Sequence, residues 1–377
     1  MPEGAIKKAG AVALAALGAI LVASPAALAS TVTVTGGDTL RVAESGNEVN
    51  QITVSVDAEA NAYYAIRDTA ATLTPSGTCI AVDDHFAFCP RTGIKTIVVQ
   101  TGDRDDAITL DAATIPGTIS ETVDGGSGND HVTGANTPGT ISGGSGNDDV
   151  HGRGTLNGGA GGDLLTGSPQ ADNLRGGSGG DTLDGGFGAD DIAGGSQVDT
   201  LVYAGRVNGV NVTIGSGNFN DGGPEDQTGG RRDTVHGDVE VQFGSERDDV
   251  LIGDRSPETL VGLGGNDLEV GNGGGDTVLG FDGNDLLIGK DGSDVLRGGP
   301  GADRQFGKSG NDRLAGGPDD DFLRGGSGHD VMKGKTGIDR INARDRSRDL
   351  KISCGPGPKR LEGAKRDKRL DPRAKSC

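Results

Sequence analysis

A repeat of nine residues runs without a break from Gly244 to Asn342, and no other feature of the sequence constrains the fold as strongly. The ninety-nine residues of this segment divide into eleven units, and every unit has an acid at its sixth position. A less regular block of the same pattern occupies residues 124–202. Units this short bury an apolar face only by stacking on their neighbours, so the period predicts a stacked, repetitive architecture.

The repeat follows the template G-G-x-G-x-D-x-U-x, in which U is apolar; clear copies are GGSGNDHVT from Gly125, GGSGGDTLD from Gly176 and GGSGHDVMK from Gly325. Glycine at positions one, two and four predicts a tight turn through positive φ, which side chains disfavour. An apolar residue at position eight between polar neighbours predicts a three-residue strand with one face turned inward. The predicted fold class is therefore all-β.

Stacking of the units places the sixth-position acids in line. Adjacent parallel strands lie roughly 4.8 Å apart, and like charges at that separation repel by about 1 kcal/mol in water and by more where water is scarce. A counterion removes this repulsion. Calcium suits the position because it is a hard cation that accepts carboxylate and backbone carbonyl oxygens in flexible geometry, and glycine turns expose those carbonyls.

Over residues 125–342 the pattern resembles the calcium-binding nonapeptide repeat of the RTX (repeats-in-toxin) family. The resemblance implies a right-handed parallel β-roll in which two nonapeptides make one coil and each calcium ion lies between turns stacked on the same side. It also implies multiple calcium ions held by the sixth-position aspartates. In the first block these are Asp130, Asp148, Asp163, Asp172, Asp181, Asp190 and Asp199, and in the second block they are Asp249, Asp267, Asp276, Asp285, Asp294, Asp303, Asp312, Asp321, Asp330 and Asp339.

Several units depart from the template, so we expect fewer ions than aspartates. Glu258 replaces an aspartate, while Glu269 and Gln305 stand where an apolar residue belongs. The unit GANTPGTIS from Gly134 has no acid, and the hexamer GRGTLN from Gly152 shifts the first block by three residues. One apolar side chain in nine residues buries little surface against the entropy of ordering the chain, so we expect calcium to decide whether the array folds.

The first twenty-nine residues predict a secretory signal peptide that is cleaved after Ala29. Lys7 and Lys8 form the basic start, an apolar run follows over residues 9–23, and Ala27-Leu28-Ala29 fits an A-x-A cleavage site. A single membrane anchor is the alternative, although the apolar run is short for a span. We therefore expect an extracellular protein with no transmembrane segment in the mature chain, which meets calcium after export.

Four cysteines in an exported chain indicate disulfides. Cys79 and Cys89 could close a small loop, and Cys354 and Cys377 could close the C-terminal tail. Three pairings are possible in principle, and free thiols are the alternative.

The segments outside the repeats differ from them in composition and hydrophobic pattern. Residues 30–123 hold short alternating runs rich in Val, Ile and Thr, which predict a small antiparallel β domain that caps the first coil. Residues 203–243 interrupt the repeats and predict a longer excursion of one coil, with a binding loop as the alternative. Residues 343–377 form a basic tail that predicts a C-terminal cap, with attraction to anionic cell-wall or matrix polymers as the alternative.

The charge of the chain argues against nucleic acid as a partner. The formal net charge is -20, and the chain has 3% aromatic residues and no Trp. The tail carries twelve Lys or Arg against five Asp or Glu, a local excess of seven positive charges, which leaves about -27 on the remaining residues. A phosphate backbone requires a basic surface over the binding region, whereas the repeats are acidic.

The sequence has no motif for a known catalytic site. No His is followed by Glu, which excludes an H-E-x-x-H metalloprotease helix, and the GGSGG around Ser178 is a repeat turn without the strand-to-helix context of a lipase nucleophile. We therefore predict no catalytic residue and a structural, adhesive or surface-interaction role. The alternative is an exported hydrolase whose site lies unrecognised in residues 30–123, where Asp83 and His85 are the groups to test.

Overall fold

A computed structural model describes residues 29–44, 49–58, 62–215, 221–226, 232–343, 349–355 and 360–361. These residues form strands and turns, with one short 3-10 helix, η1, at Pro224–Asp226. The all-β class is thus confirmed. The predicted signal peptide lies outside the described residues apart from Ala29, and most of the basic tail, with Cys377, lies outside them too. Among the described residues no helix has the length and apolar character needed to cross a membrane.

The chain divides into two compact units, residues 1–152 and residues 153–377. The strands of the first unit are β1 (Ala29–Thr35), β2 (Thr39–Ala43), β3 (Gln51–Val56), β4 (Tyr63–Asp68), β5 (Thr72–Pro75), β6 (Ile80–Asp83), β7 (Phe86–Pro90), β8 (Thr96–Gln100), β9 (Ala107–Leu110), β10 (Ser120–Ser127), β11 (His131–Thr133), β12 (Gly139–Ser145) and β13 (Asp149–His151).

The first unit combines antiparallel and parallel pairing. The expected antiparallel strands are present, because β1 pairs with β2, and β4 pairs with both β3 and β7. Parallel coils also begin within the same segment, since β8 joins β2 to β10 and β9 joins β3 to β11. The register aligns Ile52, Ile108, Val132 and Val150 in one buried apolar column. The stacked coils therefore start earlier than the regular repeats indicate.

The strands of the second unit are β14 (Gly154–Ala160), β15 (Leu164–Thr166), β16 (Asn173–Ser178), β17 (Thr182–Asp184), β18 (Asp191–Ser196), β19 (Thr200–Val202), β20 (Asn211–Thr213), β21 (Thr234–Val235), β22 (Val241–Phe243), β23 (Val250–Ile252), β24 (Thr259–Gly264), β25 (Leu268–Gly274), β26 (Thr277–Asp282), β27 (Leu286–Gly292), β28 (Val295–Arg297), β29 (Arg304–Ser309), β30 (Arg313–Gly317), β31 (Phe322–Ser327), β32 (Val331–Lys335), β33 (Arg340–Asn342), β34 (Lys351–Ser353) and β35 (Arg360–Leu361).

Parallel pairing connects strands of the second unit that are two nonapeptides apart. β24 pairs with β26, β26 with β28, β28 with β30 and β30 with β32, while β25, β27, β29 and β31 form a second series. The register aligns position eight with position eight, as in Leu260, Val278 and Leu296. Two nonapeptides therefore make one coil, and the coils stack as a parallel β-solenoid.

The interior of the second unit is a column of position-eight side chains, which are fully buried whether or not they are apolar. Leu287 and Leu323 are 0% exposed, and so are the template departures Glu269 and Gln305. Gln305 Nε2 donates a hydrogen bond to the Ala315 carbonyl oxygen at 2.8 Å, and burial raises the pKa of Glu269 well above its usual value. Position eight thus points inward by strand geometry alone, because alternate residues of a strand face opposite sides.

Residues 203–243 enlarge one coil. The register pairs Ile192 with Val235 and Leu201 with Gln242, so the parallel ladder continues across the longer connection. The segment adds β20, β21 and η1, and β20 pairs with β23. The predicted excursion is therefore ordered over its described residues.

One disulfide is described in full. Cys79 and Cys89 are bonded in the first unit, as the sequence predicted. Cys354 is disulfide-bonded and buried. Its predicted pairing with Cys377 lies outside the described residues.

The backbone conformation of the turn glycines differs from the prediction at one position. Glycines at positions two and four have positive φ, such as Gly177 at 119° and Gly179 at 129°, but the first-position Gly176 does not. The first glycine is therefore required for space and not for its φ. At position four the space is also closed, since a Cβ on Gly292 would overlap the carbonyl oxygen of Gly274 in the preceding coil.

Two neighbouring glycines test this steric requirement. Gly274, at position four, has φ 117° and a Cβ there would overlap the Ser256 carbonyl oxygen, whereas a Cβ on Gly273 would have its nearest neighbour at 3.6 Å. We expect Gly274→Ala to lower the free energy of unfolding by roughly 1 to 3 kcal/mol and Gly273→Ala to change it by about 0.5 kcal/mol or less. Denaturant unfolding of both variants under identical conditions measures this, and equal effects would contradict the steric assignment.

Candidate metal centre

The sixth-position acids form a ladder along each series of strands. The backbone N–H of most of these acids donates a hydrogen bond to a carboxylate oxygen of the acid one coil later, as from Asp276 to Asp294 Oδ1 at 2.9 Å and from Asp294 to Asp312 Oδ1 at 3.0 Å. The same bond links Asp130 to Asp148, Asp163 to Asp181, Asp172 to Asp190, Asp181 to Asp199, Asp249 to Asp267, Asp267 to Asp285, Asp285 to Asp303, Asp303 to Asp321, Asp312 to Asp330 and Asp321 to Asp339. Each of the seventeen aspartates that the sequence singled out therefore takes part in a bond of this kind.

The second oxygen of most ladder carboxylates is buried without a hydrogen bond. Oδ1 is occupied by the backbone bond, but Oδ2 has no donor and no contact with solvent at Asp130, Asp181, Asp190, Asp199, Asp267, Asp285, Asp294, Asp303, Asp312, Asp321 and Asp339. A buried carboxylate oxygen without a partner is costly. Its recurrence at position six along the ladder provides a row of acceptor oxygens suited to a cation.

The first-position glycine makes room for this second oxygen. A Cβ on Gly125 would lie 2.5 Å from Asp130 Oδ2 and 2.7 Å from the carbonyl oxygen of Gly143, the first glycine one coil later. The turn therefore brings a carboxylate oxygen and a backbone carbonyl oxygen into a space that any side chain would fill. Only oxygen atoms are offered, which fits a hard divalent cation such as calcium.

Burial raises the pKa of many ladder carboxyls. The pKa of Asp267 is raised to about 8, first by burial and then by the neighbouring charges of Asp249 and Asp285. The pKa values of Asp303 and Asp312 are raised to about 7 by the same two causes in the same order. The ionised ladder is thus electrostatically unfavourable without a cation.

Two ladder acids satisfy their second oxygen within the protein. Ser168 donates to Asp172 Oδ2 from its backbone N–H at 2.6 Å and from its hydroxyl at 2.8 Å. The Ser245 backbone N–H donates to Asp249 Oδ2 at 2.6 Å. Both units have Ser where the template has the second glycine, so these two turns have less capacity left for a metal.

Glu258 keeps its place in the ladder despite being one methylene longer than aspartate. Its backbone N–H donates to Asp276 Oδ1 at 3.0 Å, and its Oε2 is buried beside the first-position Gly253. Burial raises the pKa of the Glu258 carboxyl, and the nearby Asp254 and Asp276 raise it further. The substitution therefore leaves a carboxylate at this turn.

A carboxyl also lies in the turn of the unit that has no acid of its own. Glu121 is the register partner of Gly139, which occupies position six of that unit. The Glu121 side chain reaches the same turn, where its Oε2 accepts a hydrogen bond from the Ala135 N–H at 2.9 Å. Burial raises the pKa of Glu121 to about 7.

The ladder includes acids that the sequence analysis missed. Asp106 accepts from Asn50 N–H at 2.6 Å and its own N–H donates to Asp130 Oδ1 at 2.8 Å. A signal was present, because Gly102, Asp106 and Ile108 fit positions two, six and eight of a degenerate unit. Further acids lie beyond irregular connections. The carboxylates of Asp233, Glu240 and Asp349 accept hydrogen bonds from the backbone N–H groups of Asp190, Asp199 and Asp330, respectively.

The enlarged coil surrounds Asp233 with its own polar network. The Tyr203 hydroxyl donates to Asp233 Oδ2 at 2.8 Å, and Arg206 forms an ion pair with the fully buried Asp226 at 3.1 Å. Burial raises the pKa of Asp233 to about 7. The second oxygen of Asp233 is thus satisfied by a phenol, unlike that of the regular ladder acids.

Comparison with models of protein families matches the RTX calcium-binding nonapeptide repeat at residues 117–137, 152–182, 166–201, 243–278, 279–304 and 306–341. The matched segments include most of the ladder and leave the enlarged coil outside. A search of curated proteins finds no match.

The raised pKa values predict that acid stabilises the metal-free fold. A carboxyl with a folded pKa of about 7, such as Asp321, destabilises the fold where it is ionised, and this penalty disappears as pH falls from about 7 toward its usual value of 3.8. Strand content in calcium-free buffer should therefore increase between pH 8 and pH 4.5, as measured by far-ultraviolet circular dichroism. Calcium affinity should decrease over the same range because protons compete for the carboxylates. Strand content that falls on acidification without calcium would refute this prediction.

Proposed function

The chain carries RTX calcium-binding nonapeptide repeats, and on this basis we propose that it is a secreted protein that binds several calcium ions between its stacked turns and folds as it binds them. The row of buried, unpartnered Oδ2 atoms along the ladder is the observation that carries the proposal. Each is held at a fixed place by the backbone bond to Oδ1, next to the space that the first-position glycine leaves.

Calcium is favoured over magnesium by the ligands that the turns offer. Magnesium demands near-ideal octahedral geometry and retains several waters, whereas calcium accepts a flexible set of carboxylate and carbonyl oxygens. The ladder offers such oxygens in buried turns, with carboxylates that backbone bonds hold in place. Extracellular calcium modules commonly have dissociation constants near 10⁻⁴ to 10⁻³ M. Sites of this affinity fill at the calcium concentration outside a cell and stay empty at the much lower concentration inside.

Binding and folding are coupled because the same carboxylates that hold the metal oppose the fold without it. A ligand that binds only the folded chain stabilises it by mass action, and several sites add their contributions. The bound ions also remove the repulsion between acids such as Asp267 and Asp285. We therefore assign the array a structural or adhesive role outside the cell, where calcium is abundant.

Asp294 and Asp291, in one unit, provide a matched test. Asp294 is a buried ladder acid, and Asp291 is an exposed acid three residues earlier. We expect Asp294→Asn to reduce the calcium stoichiometry measured by isothermal titration by about one or two equivalents, because an ion shared between turns loses a ligand on one or both sides. The same substitution removes a buried charge, so the metal-free variant should show more strand content than the unmodified chain.

Asp291→Asn is the control and should leave both quantities unchanged. The proposal is wrong if the unmodified chain takes up no calcium at millimolar concentration. It is equally wrong if circular dichroism gives the same strand content in chelator and in calcium. Identical calcium titrations for Asp294→Asn and Asp291→Asn would show that the ladder acids are not calcium ligands.

Secretion is supported by the basic start, apolar run and A-x-A site of the first twenty-nine residues, together with the disulfide between Cys79 and Cys89. Expression in a bacterium with a general secretory pathway should release a chain into the medium or periplasm that begins at Ser30. N-terminal sequencing measures this. A product that keeps Met1 and stays with the membrane fraction would support an anchor instead.

We propose a non-catalytic role for the first unit, in which His85 and Asp83 hold a loop in place. His85 Nδ1 lies 2.9 Å from the Asp68 carbonyl oxygen and 2.8 Å from that of Ala71, and the His85 N–H donates to Asp83 Oδ1 at 2.8 Å. These bonds tie a loop together. Turnover in a panel of secreted-hydrolase substrates that His85→Gln abolishes would overturn this role.

A further inference from the structure

Two histidines and an aspartate converge on the outer face of the first unit. His131 Nδ1 lies 2.9 Å from Asp149 Oδ2, and His151 Nε2 lies 2.7 Å from Asp149 Oδ1. The three ligand atoms all lie within 4.8 Å of one another. Their side chains are 53%, 36% and 39% exposed for His131, His151 and Asp149, so an ion from solvent can reach them.

The strands hold these side chains together. β11 and β13 pair in parallel with His131 opposite Asp149, and His151 follows two residues later on the same face. Between them Val132 and Val150 point inward and are 0% exposed. The alternation of a strand therefore fixes all three polar groups on the outside of the coil. Sites built on strands keep their geometry better than sites built on loops.

This donor set differs from the ladder in kind. Imidazole nitrogen is a ligand for zinc, copper, nickel and cobalt, whereas calcium selects oxygen. Ligand atoms at about 2.0 to 2.1 Å from a tetrahedral zinc are roughly 3.3 Å apart. The two nitrogen-to-oxygen separations of 2.9 and 2.7 Å need only a small outward movement of the side chains to reach that spacing.

The two imidazole rings leave room for such a movement. Their centroids are 5.9 Å apart and their planes meet at 63°, so neither ring stacks on the other. Asp149 is at position seven of its unit and does not belong to the ladder, whose acid in that unit is Asp148. The cluster is thus separate in chemistry and position from the proposed calcium turns.

We propose that His131, Asp149 and His151 bind one transition-metal ion of the zinc type, with a water molecule at the open position. The three protein ligands supply two neutral imidazole nitrogens and one carboxylate oxygen, a set that three-ligand zinc sites use. The site lies on coils that the calcium ladder supports, but its chemistry does not depend on calcium as a ligand.

Cobalt(II) is the probe, because its visible absorption reports tetrahedral nitrogen and oxygen ligation and calcium has no such band. The full chain is titrated with cobalt in excess calcium, so that the ladder is saturated throughout. We expect one equivalent of cobalt to bind with a visible band, and one equivalent of zinc to displace it. His131→Gln, His151→Gln and Asp149→Asn should each weaken cobalt binding on the order of tenfold or more, since loss of a direct ligand costs at least as much as loss of an outer-shell partner.

His329→Gln is the matched control, because His329 is an exposed histidine on the second unit. It should bind cobalt as the unmodified chain does, and all variants should keep the unmodified calcium stoichiometry. The proposal is overturned if no cobalt band appears in calcium-saturated protein, if binding survives in the double variant His131→Gln/His151→Gln, or if His329→Gln weakens binding equally. A chain that binds cobalt at these residues but no calcium would retain this site and reject the proposed function of the ladder.

Discussion

The burial of like-charged carboxylates in register is the constraint on which the rest of the structure depends. Each ladder acid is fixed by the backbone of its neighbour, so it cannot turn toward water to relieve its charge. The Asp276 N–H holds Oδ1 of Asp294 in this way, and Oδ2 of the same carboxylate is therefore buried in the turn. Carboxyls confined so closely are costly to ionise, as the raised pKa of Asp294 reflects, and the turns offer oxygen atoms suited to a cation.

The three glycines of each repeat have different roles in the turn. The glycines at positions two and four reverse the chain and leave no gap between coils, while the first clears a space beside the carboxylate. Position two is the most permissive of the three, because Leu263 and Lys290 occupy it at φ 79° and 77° in the second block. These two non-glycine residues hold a positive φ that side chains disfavour, so the turn accepts local backbone strain at position two.

Much of this architecture could be predicted from the sequence because the period is local. The strict spacing from Gly244 to Asn342 places strands, inward side chains and aligned acids without knowledge of tertiary contacts. The ladder acids that follow irregular connections were not predicted. Asp233 and Glu240 enter the ladder only after a long connection that interrupts the nine-residue spacing. The parallel coils within residues 30–123 were also not predicted. Here β2 pairs with β8 across most of the segment, and no regular spacing in the sequence indicates this pairing.

In the described coils, the acid and the short strand after it stay in register although the connections between them differ in length. The bond from Asp190 to Asp233 crosses 43 residues and the bond from Asp199 to Glu240 crosses 41, yet both match the bonds that cross 18. Connection length is therefore free to vary without disturbing the interior. A scaffold with this property can accept a foreign sequence at a turn, which makes the enlarged coil a natural place to graft a new recognition loop.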